Sequence, residues 1–329
     1  KINDFIDRLR HVTTQSALTR RDFVVCASVS CIYGLGDPQE YANVAFEIKR
    51  GDIIKRKDLA RHLADLYYER NDADARYGSF SAKGDVVSVV APDGETVTEI
   101  ELLGDAVEAI REYKNDIHRS GVAEIESKKI FPAKHFVTAR DTLKTAIKNI
   151  RVELAGQLKK LKRDKKILEA ARLEQRTNFD MEMLEKTGYV NGIENYSRQL
   201  SFHKQGEPPS TLLDYLPDDT LVIIDESHMT VPQIGGMYAG DQARKKTLVE
   251  YGFRLPSALD NRPLTFDEFE ERAKQTVYVS ATPSRFELQE SGADGLAEQL
   301  IRPTGLLDPV IELRPARNQL ADVEKEIDA

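Results

Sequence analysis

Asp225, Glu226 and His228 follow directly on the apolar run Leu221-Val222-Ile223-Ile224, with Ser227 between the second acid and the histidine. An unbroken apolar run predicts a strand buried on both faces, as in a parallel α/β sheet. Ligands of such sheets sit at the carboxyl ends of the strands, where Asp225 and Glu226 would emerge. An NTPase needs acids at that place. One Asp helps hold the Mg²⁺ that bridges nucleotide phosphates, and a neighbouring carboxylate orients or deprotonates the attacking water. A four-residue D-E-x-H pattern carries little weight alone, and the strand context is what gives it force.

Two further apolar runs would stand beside that strand. One is Phe23-Val24-Val25-Cys26-Ala27-Ser28-Val29-Ser30, which ends in the turn-rich Cys31 to Pro38. The other is Thr276-Val277-Tyr278-Val279, which ends in Ser280-Ala281-Thr282-Pro283. Helical spacing marks residues 1–19 and the charged segment Arg56 to Tyr68. Short alternating strands follow at Gly78 to Phe80, Gly84 to Val90 and Thr96 to Leu103, with Pro92-Asp93-Gly94 turning between the last two. Gly104-Asp105 opens a short segment, and Lys129 to Val137 is an exit strand. Thr138 to about Leu184 reads as one long helix with a basic middle, Lys159 to Lys166, whose ordinary role is a solvated face. The Gly-, Pro- and Arg-dense stretch from Gly235 to Pro263 reads as functional loops. From Leu300 the chain reads as a linker, with a helix beginning at Asn318.

The chain has 329 residues, 40% hydrophobic and 31% charged, with net charge −8. That is a globular composition with material for more than one domain. No apolar stretch approaches the length of a membrane span, and the N-terminus has no signal-peptide pattern. It opens without Met, inside a predicted helix, and reads as a cut within a larger protein. The only cysteines, Cys26 and Cys31, fit no metal motif and suit free thiols in a reducing cytosol, with Cys26 a small core residue. Net acidity argues against indiscriminate nucleic-acid binding but not against a local basic groove.

Asp225-Glu226-Ser227-His228 followed by Ser280-Ala281-Thr282 is the order of motifs II and III in superfamily 2 helicase-type ATPases. The flanks extend the likeness. Ala27 to Gly36, Gly192 to Arg198, Gly206-Glu207-Pro208-Pro209 and Gly252 to Leu264 resemble the UvrB family, the B subunits of the bacterial excinuclease ABC. The resemblance covers essentially the whole chain. It implies a partial RecA-like α/β parallel-sheet domain with an inserted small α+β domain and a helical satellite lobe. Residues 1–43 and 137–304 would form helicase-type domain 1 with its satellite lobe, and 44–136 the UvrA-interaction domain. Residues 305–329 would be a linker and the start of the second helicase-type domain.

The same resemblance implies a cytoplasmic repair protein, loaded on damaged DNA by UvrA and recruiting UvrC, with ATP and Mg²⁺ as cofactors. Asp225 would support Mg²⁺ and Glu226 would polarise the hydrolytic water. His228, Ser280 and Thr282 would couple nucleotide state to movement. DNA contacts would fall to Arg244, Lys245, Arg254 and Arg262 in loops near the strand ends, with Tyr196 stacking on a base. Contacts to UvrA would fall to Arg70, Arg76, Lys83 and Glu101. Ser81 stands where the family pattern leads us to expect a basic residue, which removes a bidentate contact and leaves Lys83 as a point charge.

No G-x-x-x-x-G-K-[ST] loop occurs in the sequence. This polypeptide alone is therefore expected neither to hydrolyse ATP nor to hold the nucleotide and Mg²⁺ stably. The competing expectation is a UvrA-binding, ATPase-dead module of the kind found in transcription-repair coupling factors.

Overall fold

The computed structural model describes residues 4–74, 76–137, 140–299, 301, 305 and 309–328. Contacts divide the chain into two compact units, 1–283 and 284–329.

The first unit begins with α1 (Asp4–Thr19) and α2 (Pro38–Asn43). Pro38 suits the first turn of α2, and Asp37 caps it by accepting from Gln39 N (2.7 Å) and Glu40 N (3.0 Å). Between the two helices the expected strand at 23–30 does not form. Residues 23–28 are irregular and 29–32 make a single 3₁₀ turn. Among the described residues this run has no ladder partner, and a strand exists only by pairing. Val24 is 93% exposed and Cys26 is exposed, so Cys26 is not the core residue expected.

Next come β1 (Phe46–Lys49), α3 (Arg56–Asp65), β2 (Glu69–Arg70), β3 (Ser79–Lys83), β4 (Val86–Val90), β5 (Thr96–Leu103), β6 (Ala106–Lys114), β7 (Ala123–Ile125) and β8 (Ser127–Ile130). The first and last of these strands pair antiparallel, Phe46 opposite Ile130, so the chain enters and leaves this region side by side. The other six form one sheet in the order β2-β3-β4-β5-β6-β7, antiparallel apart from β2 with β3. Strand alternation sends Phe80, Val87, Val89, Ile100 and Ile110 to one face, where they pack with Leu59 and Leu63 of α3. The nine-residue β6 replaces the short segment expected after Gly104-Asp105. Gly104 has φ +67°, which lets the chain reverse tightly into it.

Two helices, α4 (Arg140–Arg163) and α5 (Ile167–Thr187), stand where one was expected. Lys165 adopts φ +59° and Lys166 N donates to Leu161 O (2.9 Å), a left-handed termination of the Schellman type. The like-charged run there gives a continuous helix little support. Both helices pack against each other through Ile147, Ile150, Leu154, Leu158, Leu173, Met181 and Leu184. The short α6 (Ser197–Leu200) closes this core with Tyr196 and Leu200.

The last part of the unit is β9 (Leu221–Ile224), α7 (Ser227–Glu250), α8 (Phe266–Arg272) and β10 (Gln275–Tyr278). Strands β9 and β10 pair parallel, Ile224 opposite Tyr278, across a crossover made of α7 and α8. The expected burial on both faces is not met, since Leu221 and Ile223 are exposed and only Ile224 is buried. Most of the expected loop stretch is helix α7, despite Pro232 and three glycines. Val231 and Ile234 bury into the unit, and that packing overrides weak propensity.

The second unit contains α9 (Arg285–Ser291), with a capping box of Ser284 and Glu287, and α10 (Gln319–Ile327). Within it Arg314 bridges Glu312 (3.0 Å) and Glu326 (2.8 Å).

Candidate functional site

The backbone ladder of β9 and β10 continues past their ends. Val279 N donates to Ile224 O (2.9 Å) and Ser227 N donates to Val279 O (3.0 Å). Both strands therefore deliver their following residues to the same end of the sheet. Asp225 and Glu226 are exposed there.

Glu226 makes the turn from strand to helix at one residue, with φ 45° and ψ 50°. A left-handed conformation costs a non-glycine residue about 1–2 kcal/mol. It directs the Glu226 carbonyl to Met229 N (2.9 Å) and Thr230 N (3.0 Å), which begins α7. Asp225 Oδ1 accepts from Glu226 N (3.0 Å) and the Asp225 carbonyl accepts from Thr230 Oγ1 (2.8 Å). Both carboxylates thus sit at the N-terminal end of a 24-residue helix, where the backbone dipoles favour negative charge.

His228, half-buried, brings Nδ1 to 2.8 Å from Ser280 Oγ and 3.5 Å from Glu226 Oε2. Ser280 Oγ also accepts from Thr282 N (3.1 Å). One histidine therefore touches the acid before it and the hydroxyl after the neighbouring strand. The structure brings Asp225, Glu226, His228, Ser280 and Thr282 to one sheet end from two sequence segments.

The residues expected to contact DNA do not share a loop surface. Arg244 and Lys245 lie on α7. Lys245 is buried against Asp241 (2.9 Å), and burial draws its pKa below the ordinary lysine value. Arg262 is buried and bidentate to Glu268 (2.6 and 2.7 Å), with its guanidinium 5.1 Å from the Tyr238 ring centre. Tyr196 is buried and donates to Asp180 (2.6 Å), and burial pushes its pKa up. Arg254, half-buried, donates to Asn195 Oδ1 (3.0 Å). Arg244 alone among them is exposed, paired with Asp241 at 3.2 Å. Arg254 and Arg262 lie in the irregular segment between α7 and α8, as expected, whereas Arg244 and Lys245 are helical because α7 packs into the unit.

On the sheet face away from α3, Lys83, Val86 and Glu101 stand opposite one another across β3, β4 and β5. Glu101 pairs with Arg111 of β6 (2.8 Å). Arg70 and Arg76 are exposed and paired with Asp72 (3.0 Å) and Asp74 (2.9 Å). Ser81, Lys83, Tyr113 and Arg119 line a polar groove of about 230 Å³ on this face. Arg111 escaped sequence reasoning because β6 did; the Gly104-Asp105 turn between two alternating runs was the available signal. Also missed was the network in which half-buried Arg198 reaches Glu153 (3.5 Å) and Asp260 (2.7 Å), joining α4, α6 and the loop before α8. Charged residues inside Gly- and Pro-rich segments were its only trace.

Asp7, His11 and His135 bring three possible ligand atoms within 4.8 Å of one another. The two imidazoles are stacked, with ring centres 3.9 Å apart and planes at 19°. A ligated ion lies near the plane of each imidazole that holds it, and two stacked planes share no such point. The pair reads instead as a buried neutral core element. His11 Nδ1 lies 3.3 Å from Tyr41 Oη and His135 Nε2 lies 3.2 Å from Thr14 Oγ1. Burial lowers both histidines, His135 to about 3.

Two family descriptions match separate parts of this architecture. Residues 46–136, from β1 to beyond β8, match the UvrB interaction domain. Residues 141–202, spanning α4, α5 and α6, match the UvrB third helical domain. Over 99% of its length the chain is 51% identical to UvrABC system protein B of Dehalococcoides mccartyi. It is 53% identical to that of Streptococcus uberis and 52% identical to that of Bacillus caldotenax, again over 99% of the chain. The chain spans about half the length of these relatives, 49% in each case. Over the stretch it spans, the chain carries two UvrB domains and is similar throughout to the UvrB family.

Proposed function

We propose that this chain is the central part of the B subunit of a nucleotide excision repair system, a cytoplasmic helicase-like ATPase that verifies DNA damage. The observation that carries the reading is the meeting of Asp225, Glu226 and His228 with Ser280 at the end of two parallel strands. A RecA-like sheet presents motifs II and III in this way, and β9 with β10 would be two of its strands. No helix among the described residues is long and apolar enough to cross a membrane.

Asp225 would hold Mg²⁺ through water, and Glu226 would orient and take a proton from the attacking water. Both are exposed carboxylates at one strand end, which fits an Mg²⁺ that keeps several waters and leans on nucleotide phosphates. Bound ATP would supply the phosphoanhydride that is cleaved. His228 would report the state of Glu226 to Ser280 and Thr282. No residues here match the Gly-rich loop that grips phosphates, so this chain alone does not turn over ATP. Of the residues expected to contact DNA, Arg244 and Arg254 keep the accessibility the role needs.

The six-stranded sheet would dock UvrA through the face bearing Lys83 and Glu101, with Arg70 and Arg76 at its margin. UvrC and damaged DNA would be the other partners. A pull-down with UvrA tests the reading. UvrA should retain the chain, and either Lys83→Glu or deletion of residues 46–136 should release it. Failure of UvrA to retain the unaltered chain would refute it.

A further inference from the structure

Helix α4 carries a charge out of keeping with the rest of the chain. Residues 142–163 hold seven cations and one carboxylate, in a protein of net charge −8. That one carboxylate, Glu153, is turned inward to Gln199 (2.8 Å) and Ser257 N (2.7 Å). The seven cations are all exposed.

Their spacing is not scattered. At 100° per residue, Lys144, Lys148, Arg151, Lys159 and Lys162 fall within an arc of about 80°, beside the apolar stripe that packs on α5. From Lys144 to Lys162 the stripe runs about 27 Å at the helical rise. Of its cations Arg151 is neutralised by Glu185 (2.9 Å). Lys148, Lys159 and Lys162 form no ion pair with a described residue. Beside the first turns lies a groove of about 370 Å³, with Ile147, Val152 and Ala155 between the cations and Glu185.

A solvated helix normally interleaves the two signs of charge, because like charges at i,i+4 repel. Keeping one sign along five turns costs helix stability unless a polyanion neutralises it. The stripe has no aromatic side chain to stack on bases and no amide to read their edges. What remains is ammonium groups at the two ends of the stripe, Lys144 and Lys148 at one and Lys159 and Lys162 at the other, suited to phosphates. About 27 Å corresponds to about 8 base pairs of duplex.

We infer that the α4 stripe is a sequence-independent track for the phosphate backbone of duplex DNA, separate from the β9–β10 end. The inference rests on the nucleic-acid reading above and adds a surface to it. An acidic protein segment is the alternative occupant. The single sign of charge and the lack of any aromatic or amide side chain on the stripe favour phosphate.

The experiment is fluorescence anisotropy of the 329-residue chain with a labelled duplex of about 30 base pairs, from about 50 to 200 mM salt. The triple substitution Lys148→Gln, Lys159→Gln and Lys162→Gln removes three surface cations, and circular dichroism checks that helix content is kept. The slope of log affinity against log salt should become shallower by about 3, one for each lysine. A control triple at Lys114, Lys129 and Lys134, all to Gln, should leave the slope nearly unchanged. An unaltered slope in the α4 variant, or an equal loss in the control, overturns the track while leaving the repair reading intact. No binding of the unaltered chain at the lowest salt overturns both. Competition by poly-L-glutamate as effective as by unlabelled duplex would also overturn the track and point to an acidic protein.

Discussion

His228 and Ser280 are 52 positions apart in sequence and 2.8 Å apart in space. The contact ties the first turn of α7 to the residues that leave β10. Glu226 Oε2 lies 3.5 Å from the same imidazole nitrogen, so carboxylate, imidazole and hydroxyl stand together at the sheet end. In the proposed function this cluster would couple the acid to the neighbouring strand.

The contact between His228 and Ser280 has a measurable energy. A double-mutant cycle of His228→Ala and Ser280→Ala, followed by urea denaturation, should give a coupling of about 1 kcal/mol. Strictly additive losses would mean that the two side chains do not interact in solution.

Acid should destabilise the fold through His11 and His135. Both pKa values are depressed by burial, that of His135 to about 3. An unfolded histidine titrates near 6.5, so between about 6.5 and 3 the unfolded chain binds a proton that the folded chain refuses. Stability contributed by keeping His135 neutral is complete above about pH 6.5 and is lost as pH falls, by up to about 1.4 kcal/mol per unit. Urea unfolding at steps from pH 7 to 5 should give a shallower loss in His135→Gln, by about 1 kcal/mol per unit. Identical slopes would contradict a buried neutral His135.

Arg262 is assigned to the core and not to a DNA surface. Arg262→Ala leaves Glu268 without its bidentate partner and should cost about 3 kcal/mol of unfolding free energy. A variant of unchanged stability but weakened DNA binding would reverse the assignment.

Gly252 ends α7 with φ +68°, and a Cβ placed there would collide with the Glu169 carbonyl of α5. Phe253 N donates to Leu248 O (2.8 Å) across this termination. Gly252→Ala should lose at least about 2 kcal/mol, from backbone strain together with the collision. A neutral effect in denaturation would show that α5 and α7 do not approach this closely.

Period-two alternation made β4 and β5 legible, and the Pro92-Asp93-Gly94 turn was marked by its residue types. The acids at the end of β9 were legible because an apolar run stops abruptly at two charges. What stayed hidden depended on tertiary packing. Phe23 to Ser30 has strand composition but no strand to pair with among the described residues. The stretch after Ser227 has the composition of a loop, yet Val231 and Ile234 find a core and hold it helical. Arg262 and Lys245 looked like surface cations although Glu268 and Asp241 stand only six and four positions away, because their burial depends on packing that spacing does not show. The link between His228 and Ser280 required two ordered motifs to be set on adjacent parallel strands, which spacing alone does not do.

The most direct measurement of the central claim is ATP hydrolysis. A protein should be used that joins this sequence to an upstream G-x-x-x-x-G-K-[ST] loop and a downstream second helicase-type domain. With UvrA and damaged DNA present it should turn over ATP, and Glu226→Gln should lower kcat by at least about 100-fold while ATP still binds. Hydrolysis by Glu226→Gln at the unaltered rate would contradict the assignment of the β9 acids to the chemistry.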